Sequence, residues 1–417
     1  MASRARFGGD FYRFLAAQSI SSFGSSFTVF ALPLLVYELT GSALNLGLVT
    51  VAEFLPYLLF GFPIGAAVDR LDRKRIMVLS DLAQTLVIAS IPLLYWLGSL
   101  PLAWIYAAGF LSSVFWICFN TAEFSAIPSL VKGEDLTTAN SYLQGSYSAA
   151  TVAGPIAAGA VVSLFPITAV FLLDALSFFV SALLVSRVRA GFSREGDPNR
   201  DRGVLAGLRY VWRNPLLRAL CLVMAVANGV GYTVYAQLVL FSKEQLGATD
   251  AQTGFLYAAG SLGMVALALL ATPLRRRLAF GTLTLGALAL GGAAIVALAL
   301  TTNYWLAALI WALTWGLVVL FTITSNTLYQ EVVPDDLLGR VQSTTQVISW
   351  SAIPMGALVG SLAIHATGNV SLVYAVIGTT IVLCAGLFSF TALGKSDPEM
   401  TRAAASLAHA STPKKRE

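Results

Sequence analysis

Apolar runs of about 20 residues or more alternate with short polar breaks along almost the whole chain. Bounded by those breaks, the runs predict membrane-spanning helices near 12–38, 44–68, 76–98, 102–126, 142–164, 169–187, 217–242, 252–273, 279–301, 304–329, 344–366 and 371–393. The runs are continuous and lack the alternation of a barrel strand, which excludes an outer-membrane β-barrel. Gly and Pro inside them fit, because both are commoner in membrane helices than in soluble ones. The longest hydrophilic insert, about 188–216, separates six spans from six. Gly191 to Arg202 is charged and expected to be flexible. Beyond it, Val204, Leu205, Leu208, Val211 and Trp212 recur at helical spacing with Arg209 and Arg213 on the other face. That pattern predicts an amphipathic helix on the inner leaflet. The fold class expected is an all-α membrane protein with 12 transmembrane helices. Its parts are a six-helix bundle over 1–187, a cytoplasmic linker over 188–216, a second bundle over 217–394 and a disordered tail over 395–417.

Composition narrows the class. Apolar residues make up 57% of the chain and charged ones 11%, against roughly 25% in a soluble domain. So few charges cannot cover the surface of a soluble protein of 417 residues. With the N-terminus in the cytoplasm, the inner segments hold 25 of the 26 Lys and Arg, and only Lys243 lies outside. The positive-inside rule then puts both termini in the cytoplasm and the chain in a bacterial cytoplasmic membrane. The net charge of +5 is thereby a matter of topology, and no nucleic-acid partner is expected. Trp96, Trp104, Tyr304 and Trp305 fall near the outer boundary, where interfacial aromatics belong. Met1 to Arg13 is a short basic leader without a cleavage site, so the first span would direct insertion. Cys118, Cys221 and Cys384 lie far apart inside apolar runs and are read as packing residues. With two His, no nucleotide-binding loop and no metal-ligand spacing, an enzyme, a cofactor and a metal are not expected.

The two halves match at an offset of 206 residues: Asn120-Thr121 and Pro128 recur as Asn326-Thr327 and Pro334, and Gly154 as Gly360. Asp69-Arg70 maps onto Arg275-Arg276, which keeps the basic charge and loses the acid. Such a repeat implies two bundles related by an axis along the membrane normal, with substrate bound between them near mid-membrane.

Between the second and third runs lies Gly65-Ala66-Ala67-Val68-Asp69-Arg70-Leu71-Asp72-Arg73-Lys74-Arg75. A bilayer does not tolerate such a cluster in its hydrocarbon, so it is a loop on one membrane face. The pattern resembles the signature loop of major facilitator superfamily transporters, which usually has Gly where this chain has Asp72. The D-R-x-D-R form, and Gly207 to Pro215, look like the drug, macrolide and enterobactin efflux branch. The resemblance implies the major facilitator fold, alternating access and a cytoplasmic latch made by Gly65, Asp69, Arg70, Arg73 and Lys74. Glu123 near the inner end of the fourth span is read as a partner of Arg73, and Glu331 as a partner of Arg276 or Arg277. Arg70 and Lys74 equally suit a purely topological role.

Carboxylates inside the membrane are costly and usually functional. Glu53, nearest the middle of its span, is the candidate for proton coupling, unless it sits at the outer interface. Asp174 is read as a helix-packing residue and Asp81 as part of the charge cluster at the loop. Gly154, Pro155 and Gly159 in the fifth span resemble the antiporter motif of drug exporters, with three of its glycines replaced by Ser or Ala. Tight small-residue packing explains them equally well. The fourth span lacks the central Arg of many proton-coupled drug exporters, which fits the macrolide and siderophore branch. A polar stripe of Gln18, Ser21, Ser22, Ser25 and Ser26 in the first span, Trp116 and Phe119 in the fourth, Asn228, Tyr232, Tyr235 and Gln237 in the seventh and Trp311 and Trp315 in the tenth would line the cavity. Aromatics with scattered amides and hydroxyls suit a bulky amphipathic compound. The function expected is export of such a compound by proton antiport, as a monomer in the lipid bilayer. An uptake symporter for a nutrient and a non-transporting receptor on the same fold are the alternatives.

Overall fold

The computed structural model describes residues 7–131, 135–189 and 204–395. These form fourteen helices: α1 (Gly9–Thr40), α2 (Ala43–Arg70), α3 (Arg73–Trp96), α4 (Leu102–Leu130), α5 (Leu136–Leu164), α6 (Thr168–Ser186), α7 (Val204–Arg213), α8 (Pro215–Ala236), α9 (Leu238–Glu244), α10 (Asp250–Arg277), α11 (Phe280–Leu300), α12 (Tyr304–Val332), α13 (Asp335–Thr367) and α14 (Val370–Ser389). Twelve of them, all but α7 and α9, are long and apolar enough to cross a membrane. The sequence places all twelve, while several helices run on past the expected ends; α1 starts at Gly9 and α13 at Asp335. Residues 190–203, which hold the charged segment Gly191 to Arg202, and the tail beyond Lys395 lie outside the described residues.

The turns reflect their sequences. Thr40-Gly41-Ser42 ends α1 and starts α2: Gly41 adopts φ 57°, a left-handed conformation that suits glycine, and Ser42 accepts the Asn45 N–H. Thr367-Gly368-Asn369 repeats the device between α13 and α14, with Gly368 at φ 62° and Asn369 accepting the Leu372 N–H at 2.8 Å. The expected seventh span breaks at Gln237, between α8 and α9. Gln237 is fully buried, and its Nε2 donates to the Ala43 carbonyl at 2.8 Å, so the side chain is spent on packing and does not face a cavity.

The helices sort into two compact units. One holds the chain up to Pro198 together with Ala236–Ala258, and the other holds Asn199–Tyr235 with everything from Ala259 onward. In the first, α1 packs on α5 and α6, α2 on α4, and α3 on α4 and α6. Phe14, Met77, Phe119, Ala122 and Val185 meet in a core there. In the second, α11 packs on α12 and α14, repeating the third span's packing on the fourth and sixth. Small residues set the distance of approach: a Cβ at Gly292 would lie 2.7 Å from the Gly378 carbonyl. The two glycines of the repeat are both close-packed by a small hydroxyl side chain. Gly154 of α5 is filled by Ser26 of α1, and Gly360 of α13 by Thr233 of α8.

Candidate functional site

Only Leu71 and Asp72 separate α2 from α3, and Asp72 closes the connection. Its Oδ1 accepts the N–H of Lys74 at 2.9 Å and of Arg75 at 3.2 Å, and its Oδ2 lies 3.7 Å from Arg75 Nε. A carboxylate there both caps α3 and meets the positive end of its dipole. The backbone at Asp72 has φ −66°, so no glycine is required. Arg73 is buried, and Lys74 Nζ donates to the Val188 carbonyl at 2.6 Å, just past α6. The loop is thereby tied to the inner end of the first unit. Gly65, Asp69 and Arg70 lie in the last turns of α2, and their side chains are outside the described residues. So is the expected contact between Asp69 and Arg73.

Glu123 of α4 lies beside Gln18 of α1, which brings together two residues expected in separate roles. In the second unit Glu331 Oε2 lies 3.8 Å from Arg275 Nη2, so its partner is Arg275 and not Arg276 or Arg277. The Arg275 guanidinium also sits 4.4 Å from the centre of the Phe280 ring. Asp81 is no part of the loop's charge cluster. Eight residues into α3, roughly 12 Å along the helix, it is buried beside Ser181 of α6. Asp174 is buried too: its carboxylate accepts from the Thr28 hydroxyl and from Ser177 Oγ at 3.3 Å, which joins α1 to α6. Gly24 leaves the room, because a Cβ there would collide with Ser177.

Glu53 stands apart from these. It lies ten residues into α2, roughly 15 Å from the helix start and so near the middle of a hydrocarbon layer of about 30 Å. Its side chain faces α4, with Cγ 3.5 Å from where a Cβ on Gly109 would stand. Ser113 Oγ donates to the Glu53 carbonyl at 2.6 Å and fixes the register of the two helices. One turn on, Tyr57 packs on Trp116 of α4 with ring centres 5.9 Å apart. Tyr57 escaped the sequence reading, although its i+4 spacing from Glu53 puts it on the same face.

The polar stripe of α1 divides by use. Ser146 Oγ of α5 donates to Ser19 Oγ at 2.6 Å, and Ser26 fills the space above Gly154. Ser22 and Ser25 are half-buried, and among the described residues neither makes a side-chain hydrogen bond. Phe119 belongs to the packed core of the first unit; at 7% exposure it does not line an open wall, whereas Trp116, one turn away, is exposed. Gly159 and Pro155 of α5 meet the start of α10: a Cβ at Gly254 would lie 2.6 Å from the Pro155 carbonyl and 3.1 Å from Gly159 Cα. Nearby, Phe30 of α1 meets Tyr257 edge-on at 5.8 Å, and Lys243 pairs with Asp250.

In the second unit, Tyr232, Tyr235, Trp311 and Trp315 form one aromatic cluster on α8 and α12. Tyr235 lies parallel to Trp311 at 6.4 Å and edge-on to Trp315 at 5.1 Å, and Tyr232 sits 5.5 Å from Tyr235. Trp311 is buried, whereas Tyr232, Tyr235 and Trp315 are half-buried. Asn228, also half-buried, precedes Tyr232 by one turn.

Comparison with known proteins points the same way. The model of the family described as Major Facilitator Superfamily matches residues 14–357. The chain is 28% identical over 362 residues to macrolide efflux protein A of Streptococcus pyogenes, covering 84% of this chain and 88% of that protein. It is 28% identical over 377 residues to the multidrug efflux pump Tap of Mycolicibacterium fortuitum, covering 86% and 91%. Among solved structures, the nucleoside transporter NupG superimposes with a TM-score of 0.78 at 10% identity over 94% of this chain and 100% of that one. A bacterial homologue of the lysosomal transporter Spinster does so at 0.71 and 15% identity over 98% and 96%. With twelve membrane-crossing helices and a family match over most of its length, the chain belongs to the Major Facilitator Superfamily.

Proposed function

We propose that this protein exports amphipathic organic compounds by proton antiport through alternating access. The observation that carries the reading is Glu53, a carboxylate near mid-span with its side chain on α4 beside Gly109 and one turn from Tyr57. A titratable group at that depth takes a proton from one side and gives it to the other, and the substrate moves the opposite way. The export direction is supported by the macrolide and multidrug efflux proteins to which the chain is similar. On this reading Tyr232, Tyr235 and Trp315 offer aromatic faces to the substrate, and Asn228, Ser22 and Ser25 offer polar groups. Asp69, Arg70, Arg73 and Lys74 with Gly65 gate the cytoplasmic side, helped by Glu123. Gly154 allows the tight α5–α1 contact, and Pro155 and Gly159 the tight α5–α10 contact. The protein works as a monomer in a bacterial cytoplasmic membrane, with both termini in the cytoplasm.

Inside-out vesicles under an imposed pH gradient, screened with dyes and macrolide-like compounds, test the proposal. Accumulation is expected only when the gradient is present. Glu53→Gln is expected to abolish the pH dependence while leaving insertion intact. Accumulation that ignores the gradient, or an unchanged Glu53→Gln variant, would overturn it.

A further inference from the structure

Helix α7 presents three faces in order around its axis. Val211 is fully buried, and the helix packs on α13. About 60–100° further round, Leu208 and Trp212 stand one turn apart, 37% and 46% exposed. On the next face Arg209 and Arg213, again one turn apart, are exposed, and neither makes an ion pair or a hydrogen bond among the described residues. An exposed Leu–Trp pair flanked by two unpaired guanidinium groups is poorly suited to water alone.

The depth of this helix is set by its junction with α8. Asn214 Oδ1 accepts the N–H groups of Leu216 and Leu217 at 3.0 and 3.4 Å and caps α8, while Pro215 occupies the first helical position. Both residue types favour a helix start, so α7 ends there and a membrane-crossing helix begins. α7 is therefore held where the hydrocarbon layer begins. Arg218, exposed in the first turn of α8, adds a third cation close to that level.

We propose that α7 binds the headgroups of anionic phospholipids. Leu208 and Trp212 sink into the boundary between headgroups and acyl chains, where an indole is favoured. Arg209 and Arg213 then meet phosphate oxygens, which a guanidinium grips through two parallel N–H donors. The occupant is identified by charge: two free cations beside an apolar strip match an anionic leaflet surface, and an acidic protein segment would leave Leu208 and Trp212 uncovered.

The test uses the full-length protein in nanodiscs of phosphatidylcholine, alone or mixed with phosphatidylglycerol. Phosphatidylglycerol is expected to raise the melting temperature and to remain bound in native mass spectra. The double variant Arg209→Gln/Arg213→Gln is expected to lose the shift and to bind this lipid about thirtyfold more weakly. Arg276→Gln/Arg277→Gln, which removes two other exposed cations, is expected to keep the shift. A shift that survives the first double variant, or disappears equally in both, overturns the proposal. A spin label at Leu208→Cys in a cysteine-free background supplies the second readout. It should sit at the headgroup–acyl boundary, and a label fully accessible to aqueous relaxants would refute insertion.

Discussion

Glu53, Asp174 and Asp72 are acids in three settings, and substitution separates their jobs. Asp174 accepts from Thr28 and Ser177 inside the α1–α6 contact. Asp174→Ala leaves the Thr28 hydroxyl without its acceptor, while Ser177 keeps its bond to the carbonyl of residue 174, and is expected to cost roughly 1–3 kcal/mol; Asp174→Asn, which keeps an acceptor, costs less. Thermal unfolding in detergent reads this, and transport per folded molecule should stay intact. Asp72→Ala removes the α3 cap and is expected to cost about 1 kcal/mol, whereas Asp72→Gly, the usual family residue, costs only a few tenths. The depth of Glu53 was legible in the sequence because its place within a continuous apolar run fixes how far along the span it lies. The approach of Gln18 to Glu123 was not legible, since it depends on the rotation of α1 against α4, which hydropathy does not encode. Asp81 was misplaced for a similar reason: closeness to the loop in sequence hid two turns of helix.

At the scale of elements, glycines mark where two helices touch. A Cβ at Gly356 would collide with the carbonyl of Gly229, which is backbone and cannot swing aside. Gly356→Ala is therefore expected to push α13 away from α8 and to lower both melting temperature and transport. Gly145→Ala on α5, with nothing within 4 Å of the added methyl, is expected to be neutral or slightly stabilising. Measuring the pair side by side distinguishes packing from helix propensity. The twelve spans could be read from the sequence because burying an unpaired backbone in lipid forces long continuous helices. The break at Gln237 could not, because Leu238-Val239-Leu240-Phe241 continues the apolar run without a pause. The Ala43 carbonyl, far away in the chain, accepts from the glutamine that turns inward there.

For the whole molecule, the charge asymmetry predicts which groups an impermeant thiol reagent will reach in intact cells. In a background free of Cys118, Cys221 and Cys384, Arg213→Cys is expected to stay unlabelled from outside, and Gln245→Cys, at the end of α9, to react. The opposite pattern would invert the topology. The sequence division into 1–187 and 217–394 assigns 236–258 to the later half by position alone. The packing of that segment on α1, α2 and α5, through Gln237, Tyr257 and Gly254, belongs to the first unit. This arrangement has a consequence for biosynthesis. After Pro198 leaves the ribosome, roughly 60 more residues must be made before Ala258 emerges, on the order of 3–12 s of elongation. Throughout that interval the surface awaiting Gly254 is lined by lipid instead of protein, so maturation of the early helices lags their insertion and is finished by a piece of chain that arrives late.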